Sequence, residues 1–273
     1  MIFGNAAWGF RETPIEEQFR ITSDMGISEL EIGIANAPCD IPLTVDNSGI
    51  EKIKKLSLNY GVGISCAATG NDFTVPNNDC EKIKRVIDIC NGLGVKYLRI
   101  FAGFSAVDEV RGDRFDKMVK SLCEVCNYAK TRSVVPVIET HGGVTGYEDG
   151  VEHFMSTTTD LDTLKKILSA IPDNARVCFD PANLYAVGVT KPHEFYKRIR
   201  DKVAYAHFKD FKRLPSGHLK PSFCGDSEMD WNAILREMQD FGGICMFEYE
   251  NTEDIETGLK KSYEYIQGRI QNQ

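Results

Sequence analysis

Four short segments place chemistry-bearing side chains just where apolar runs end. They are Val137-Ile138-Glu139-Thr140-His141, Cys178-Phe179-Asp180-Pro181-Ala182-Asn183, Ala206-His207-Phe208-Lys209-Asp210 and Phe247-Glu248-Tyr249-Glu250. Side chains alternate faces along a strand, so Glu139 and His141 can share a face, as can His207 with Lys209 and Glu248 with Glu250. One polar residue from each segment can then converge above a common core. Three carboxylates and one imidazole form a hard, oxygen-rich set with a single nitrogen. Such a set suits one divalent ion: manganese, magnesium, cobalt or zinc. An octahedral ion so held keeps positions for substrate oxygens and acts as a Lewis acid on a carbonyl. It would acidify the neighbouring C–H and stabilise the enediolate formed on deprotonation. A carboxylate on each face of that carbon can remove a proton and return it to the other face or to the next carbon. Singly, each residue has an ordinary explanation: a solvated strand end, a turn-forming Asp-Pro, a packed strand histidine. Their joint placement at four consecutive strand ends carries the reading.

Those segments belong to a longer alternation of short apolar runs with amphipathic stretches, which predicts a parallel sheet with helical crossovers. Eight rounds are visible. Strands are expected over Ile2–Trp8, Glu29–Ile34, Gly61–Ala67, Lys96–Phe101, Val134–Glu139, Arg176–Phe179, Val203–Phe208 and Ile244–Tyr249. The first helix is expected to open after Thr13-Pro14, with Thr13 as its cap and Pro14 in its first turn. Further helices are expected over Ser48–Tyr60, Asn78–Leu93, Asp113–Lys130, Asp160–Ala170 and Lys191–Arg200, from Asp230 to near Phe241, and over Glu253–Ile266. Gly26, Gly61, Gly94 and Gly242 stand where helices end and suit left-handed caps. The expected architecture is one (β/α)8 TIM barrel filling residues 1–273 as a single domain, since such a barrel needs roughly 250 residues. Two connections are long, Thr140–Thr159 and Lys209–Asp230. Both follow C-terminal strand ends, where barrels build their active sites. They are expected to be flexible loops that shape a pocket, with Trp8, Phe73 and Phe104 as apolar walls. His141, Asn183, Lys209 and Glu250 are the candidate polar partners of a substrate.

The 273 residues carry a formal net charge of −8. That balance disfavours a nucleic-acid partner, which needs a basic face. The nine cysteines are scattered, mostly within apolar runs, and read as reduced thiols. Cys123 and Cys126 form one C-x-x-C within a helical pattern, so both sulfurs are expected to face the core. Met1 runs directly into Ile2-Phe3-Gly4-Asn5 with no basic region or long apolar segment. No stretch approaches the ~20 apolar residues of a membrane span. A cytoplasmic protein, with homo-oligomers open to it, is the expectation.

With these segments in view, the chain resembles the xylose isomerase-like barrel superfamily. That group includes sugar and sugar-phosphate isomerases and epimerases, inosose dehydratase-like proteins and type IV apurinic endonucleases. The resemblance rests on Val137–Gly143, Phe179–Asn183, Ala206–Asp210, Gly225–Trp231 and Phe247–Glu250, with support from Trp8-Gly9-Phe10-Arg11 and Tyr97-Leu98-Arg99-Ile100. It implies that Glu139, Asp180, His207 and Glu248 hold the metal and that Glu139 and Glu248 also form the acid/base pair. Glu250 is a rival to Glu248, which lies nearer the strand body. The implied activity is isomerisation or epimerisation of a sugar, sugar phosphate or polyol-derived ketone. The alternatives are a dehydratase using the same enolate chemistry, an endonuclease, which the acidic charge and the five histidines oppose, and a barrel that binds a sugar without turning it over.

Two departures stand out. Asn183 occupies a position where many ketose epimerases place a histidine; it can hydrogen-bond a hydroxyl but cannot titrate. Gly225-Asp226-Ser227 stands where many relatives have Gly-Glu-Gly or Gly-Asp-Gly. The basic run Lys209, Lys212, Arg213, His218 and Lys220 supplies a discriminator. Lys212 and Arg213 pointing inward would favour a phosphate ester, and pointing to solvent a free sugar.

Overall fold

The computed structural model describes residues 1–76 and 80–271. From the N-terminus, β1 (Ile2–Asn5) leads to α1 (Ile15–Asp24), β2 (Glu29–Gly33) to α2 (Asn47–Tyr60), and β3 (Gly63–Ala68) to α3 (Cys80–Leu93). Then β4 (Tyr97–Ile100) leads to α4 (Asp113–Lys130). After β5 (Val135–Glu139) the chain forms β6 (Gly143–Gly146) and β7 (Val151–Phe154) before α5 (Leu161–Ala170). Next come β8 (Arg176–Phe179), α6 (Pro181–Ala186), α7 (Pro192–Ile199) and β9 (Val203–Phe208). The chain ends with β10 (Asp210–Arg213), β11 (Leu219–Ser222), α8 (Trp231–Glu237), β12 (Ile244–Phe247) and α9 (Ile255–Gln271).

Eight strands close into a barrel in the order β1, β12, β9, β8, β5, β4, β3, β2. Every pairing around it is parallel. The protein is therefore a (β/α)8 TIM barrel. Strands covered on both faces need apolar residues nearly throughout, which is why they read as short apolar runs. Two of them, β8 and β9, have the bounds expected from sequence. β1 stops earlier, at Asn5, because the chain turns into a 3-10 helix over Trp8–Phe10. Thr13 does not cap α1. Pro14 holds the cap position, and the Thr13 carbonyl accepts from Gln18 Nε2 at 2.8 Å. The expected start of α3 at Asn78 lies outside the described residues.

Gly26, Gly61 and Gly94 have φ of 68°, 65° and 79°, the left-handed caps their positions called for; Gly242 is not among the positive-φ residues. Of the C-x-x-C pair, Cys126 is buried but Cys123 is only half-buried, with Sγ 3.5 Å from the Ala170 carbonyl. The helix turns the two sulfurs by unequal amounts toward the core. Among the described residues no helix is long and apolar enough to cross a membrane.

The two long connections are not flexible loops. They build a second, four-stranded sheet in the order β10, β11, β7, β6 over the C-terminal mouth. β6 with β7 and β10 with β11 form antiparallel hairpins, joined through the pair Leu219 and Val151. Asp210 anchors this sheet to the barrel: its carboxylate accepts from the Trp231 indole at 3.0 Å and from the backbone N–H groups of Gly225 and Phe211, each at 2.9 Å.

Candidate metal centre at the barrel mouth

Glu139 is the last residue of β5, Asp180 follows β8, His207 is the fifth residue of β9, and Glu248 follows β12. The barrel order puts these four strands side by side. Each residue offers one ligand atom, and these atoms all lie within 4.8 Å of one another. All four side chains are buried. Glu250 is not part of this group.

Local structure explains why each points inward. Asp180 is also the N-cap of α6, where Oδ1 accepts from the Asn183 N–H at 2.9 Å. Pro181 then occupies the first helical turn, as its missing N–H allows. That leaves Asp180 Oδ2 facing the group without a hydrogen-bond partner. Glu139 is held from two sides: Arg99 Nε lies 3.3 Å from Oε2, and Asn183 Nδ2 donates to Oε1 at 3.0 Å. Asn183, expected to bind a substrate hydroxyl, is fully buried and gives its amide to Glu139 instead, because α6 turns it back under the site.

Lys209 is buried at the centre of the carboxylates. Its Nζ lies 2.6 Å from Glu248 Oε2, 2.7 Å from Glu250 Oε1 and 3.3 Å from Asp180 Oδ2. It thus ties carboxylates together and is committed to them. Glu31 and Tyr205, which the sequence reading did not single out, lie beneath the group. Glu31 Oε1 accepts from the Tyr205 hydroxyl at 2.7 Å and lies 3.1 Å from His207 Nε2.

These neighbours set the charge states. Burial disfavours ionised Glu139, but the Arg99 guanidinium and His207 outweigh it and hold its carboxyl at about 2. Burial likewise opposes the Glu248 carboxylate, and Lys209 and His207 overcome it, well below the usual range. Asp180 behaves oppositely: burial, reinforced by Glu139 and Glu248, pushes it up to about 7 despite Lys209. Burying so many charges is costly unless each is paired and hydrogen-bonded. Within the four-residue group, Asp180 Oδ2 and His207 Nδ1 are buried with no hydrogen-bond partner, as are Arg99 Nε and Asn183 Oδ1 beside it. A divalent cation would satisfy the two ligand atoms, Asp180 Oδ2 and His207 Nδ1. With three carboxylates and one imidazole nitrogen as donors, the residues present fit such an ion.

Above the group is a cavity of about 350 Å³. Trp8, Phe104, His141, Lys209 and Glu250 are among the residues that line it. Phe73 does not; it is buried in the hydrophobic core, and Phe101 takes the expected wall position. Phe101 carries the Arg99 guanidinium over its ring at 4.2 Å and packs on Phe104 at 4.6 Å. The roof comes from the second sheet. Val144 and His153 face each other across β6 and β7, and Phe211 and Pro221 across β10 and β11, and all four line the cavity. His141 Nδ1 donates to the Gly142 carbonyl at 2.5 Å, which leaves Nε2 as an acceptor; burial lowers its basicity, keeping the ring neutral. Lys212 and Arg213 do not line the cavity. Lys212 is exposed, 3.5 Å from Asp226, and exposed Arg213 donates to the Gly217 carbonyl. A larger, shallower depression of about 850 Å³ lies at the opposite end of the barrel, beside Lys96, Arg176 and Gly243, away from this group.

Solved structures with this architecture include the probable 3-DHS dehydratase AsbF of petrobactin synthesis from Bacillus anthracis, at 14% identity and TM-score 0.80, over 98% of this chain and 99% of that one. A D-allulose 3-epimerase from Methylomonas sp., in complex with D-allulose, is 14% identical with TM-score 0.73, over 98% and 97%. A xylose isomerase-like TIM barrel protein from Mycobacterium smegmatis, in complex with magnesium, is 15% identical with TM-score 0.70, over 100% and 96%. At these identities the likeness is one of fold. No curated protein matches the chain. The sequence profile of the xylose isomerase-like TIM barrel matches residues 19–269, and the chain belongs to that family.

Proposed function

We propose that this protein is a divalent-metal-dependent epimerase or isomerase of a free, uncharged ketose or related polyol ketone. The observation that carries the reading is the buried group of Glu139, Asp180, His207 and Glu248, in which Asp180 Oδ2 and His207 Nδ1 make no hydrogen bond. A bound ion supplies Lewis-acid polarisation of a substrate carbonyl, which acidifies the adjacent C–H.

The remaining chemistry is that of side chains. Glu139 and Glu248 are both held as carboxylates, the form a proton-abstracting base needs. They come from β5 and β12, with β8 and β9 between them, so they reach the site from different sides. One removes the proton next to the carbonyl and, now a carboxylic acid, can return it to the adjacent carbon; return to the opposite face falls to the other glutamate once it has taken up a proton from water. Lys209 bridges Glu248 and Glu250 and keeps that side of the site ordered and charged. His141 Nε2 accepts from a substrate hydroxyl, and Trp8, Phe101 and Phe104 offer apolar surface to the weakly polar face of a sugar.

The outward position of Lys212 and Arg213 supports a free sugar over a phosphate ester. Arg99 and Lys209, the buried cations of the mouth, are engaged with carboxylates. Dehydration of a cyclic polyol ketone is the second reading, favoured by aromatic walls against which a ring can lie. The two separate by product mass. Incubation with manganese and a panel of free ketoses, D-allulose included, in deuterated water should give an isomer carrying solvent deuterium. Loss of water would select the second reading. No turnover of any ketose or cyclic polyol ketone, with metal shown to be bound, would reject both.

A further inference from the structure

An imidazole can bind a metal through either nitrogen, and the choice is set by the bond the other nitrogen makes. In His207, Nδ1 lies 3.3 Å from Glu248 Oε1 and 3.6 Å from Glu139 Oε1, inside the carboxylate group. It has no hydrogen-bond partner. Nε2 points the other way, into the barrel, 3.1 Å from Glu31 Oε1. β2, which carries Glu31, and β9, which carries His207, are separated in the barrel wall by β1 and β12. The contact therefore spans the interior.

Glu31 is pinned where it stands. Its Oε1 also accepts from the Tyr205 hydroxyl at 2.7 Å, and its Oε2 accepts from the Ala7 N–H at 3.1 Å. Glu31, Tyr205 and His207 are fully buried, so water offers no substitute for these bonds. A glutamate on an interior strand position is costly to bury, and packing of the aliphatic core gives it no role.

From this geometry we infer that Glu31 is a positioning residue for the metal site: it holds the proton on His207 Nε2 and so presents the Nδ1 lone pair to the divalent ion. The inference rests on the metal reading above. A carboxylate is required because both of its oxygens must accept. Glutamine has one acceptor oxygen. If that oxygen faces His207 and Tyr205, the amide NH2 meets the Ala7 N–H. If it faces Ala7, the NH2 points at His207 Nε2, which must then become an acceptor, and the imidazole proton moves to Nδ1, where the ion binds.

The test is manganese binding to Glu31→Gln by calorimetry, with nitrogen NMR of the His207 ring in the magnesium-loaded protein. Tyr205→Phe is the companion variant, since it keeps the Glu31–His207 contact. Partners of metal-binding histidines are generally worth about 10–100-fold in affinity, and that loss is expected for Glu31→Gln, with Tyr205→Phe near wild type. Magnesium-loaded wild type should show its ring proton on Nε2. A folded Glu31→Gln protein that binds manganese like wild type, its proton still on Nε2, would overturn the inference. A wild-type ring proton on Nδ1 would do the same, even if Glu31→Gln fails to fold. Failure of wild type to bind manganese, magnesium, cobalt or zinc would instead remove the metal reading, and this inference with it.

Discussion

Replacing Lys209 with methionine removes the cation on which three buried carboxylates converge. Methionine fills similar volume and keeps the apolar stem but offers no donor. The ammonium lies within 3.3 Å of Glu248, Glu250 and Asp180, and the side chain is almost fully buried. Breaking a buried ion pair by removing one partner costs about 3–5 kcal/mol. In a chain of this size each kcal/mol moves Tm by about 2–4 °C, so the metal-free variant should melt about 6–20 °C below wild type. The deficit should shrink when metal is supplied, because the ion replaces part of the missing charge and so binds the variant more tightly than wild type, stabilising it more. It should also shrink in acid. Against the penalty of burial, Lys209 holds the Glu248 carboxyl below its ordinary value. The stability it contributes is therefore present above the unfolded glutamate value of about 4.3 and lost as pH falls toward the depressed folded one. Urea unfolding with EDTA and with manganese, at neutral and acid pH, reads all three effects. A metal-free Lys209→Met protein within about 0.5 kcal/mol of wild type at neutral pH, the range of an ordinary surface change, would refute the electrostatic account of the mouth.

Glu139→Gln should lower turnover by about 10²–10⁴-fold, the range for loss of a general base, with the circular dichroism spectrum retained; wild-type turnover with metal supplied would exclude Glu139 as ligand and base. Because burial pushes the Asp180 carboxyl up to about 7, an ion must displace a proton there at lower pH. Apparent manganese affinity should thus fall by about tenfold per pH unit below that value, and calorimetry in buffers of different ionisation enthalpy should show proton release. Lys212→Ala combined with Arg213→Ala should leave the preference between free and phosphorylated ketoses unchanged in paired assays; a selective loss of the phosphorylated substrate would reinstate a phosphate site.

Much of the barrel could be read directly because most of its parallel strands are short buried apolar runs, several of them followed by a polar residue. Arg176–Phe179 and Val203–Phe208 are clear instances. The second sheet was hidden. Its strands have four residues each, and Gly143-Val144-Thr145-Gly146 carries too little pattern to separate a strand from a loop. The short helix α6 was masked by Asp180-Pro181, which reads as a turn although the same pair makes a good helix start. That helix also reassigned Asn183 from substrate to Glu139. Glu31 left a faint signal, a charge within Leu30-Glu31-Ile32. Its partners Tyr205 and His207 are more than 170 residues away in sequence, and no local pattern announces a contact made across a closed barrel.

The most direct test of the account is anomalous diffraction from crystals of this protein soaked in manganese. One peak is predicted at the barrel mouth, with oxygens of Glu139, Asp180 and Glu248 and Nδ1 of His207 about 2.0–2.4 Å from it. A manganese peak elsewhere, or none in that group at saturating metal, would contradict the claim that these four residues form a metal centre.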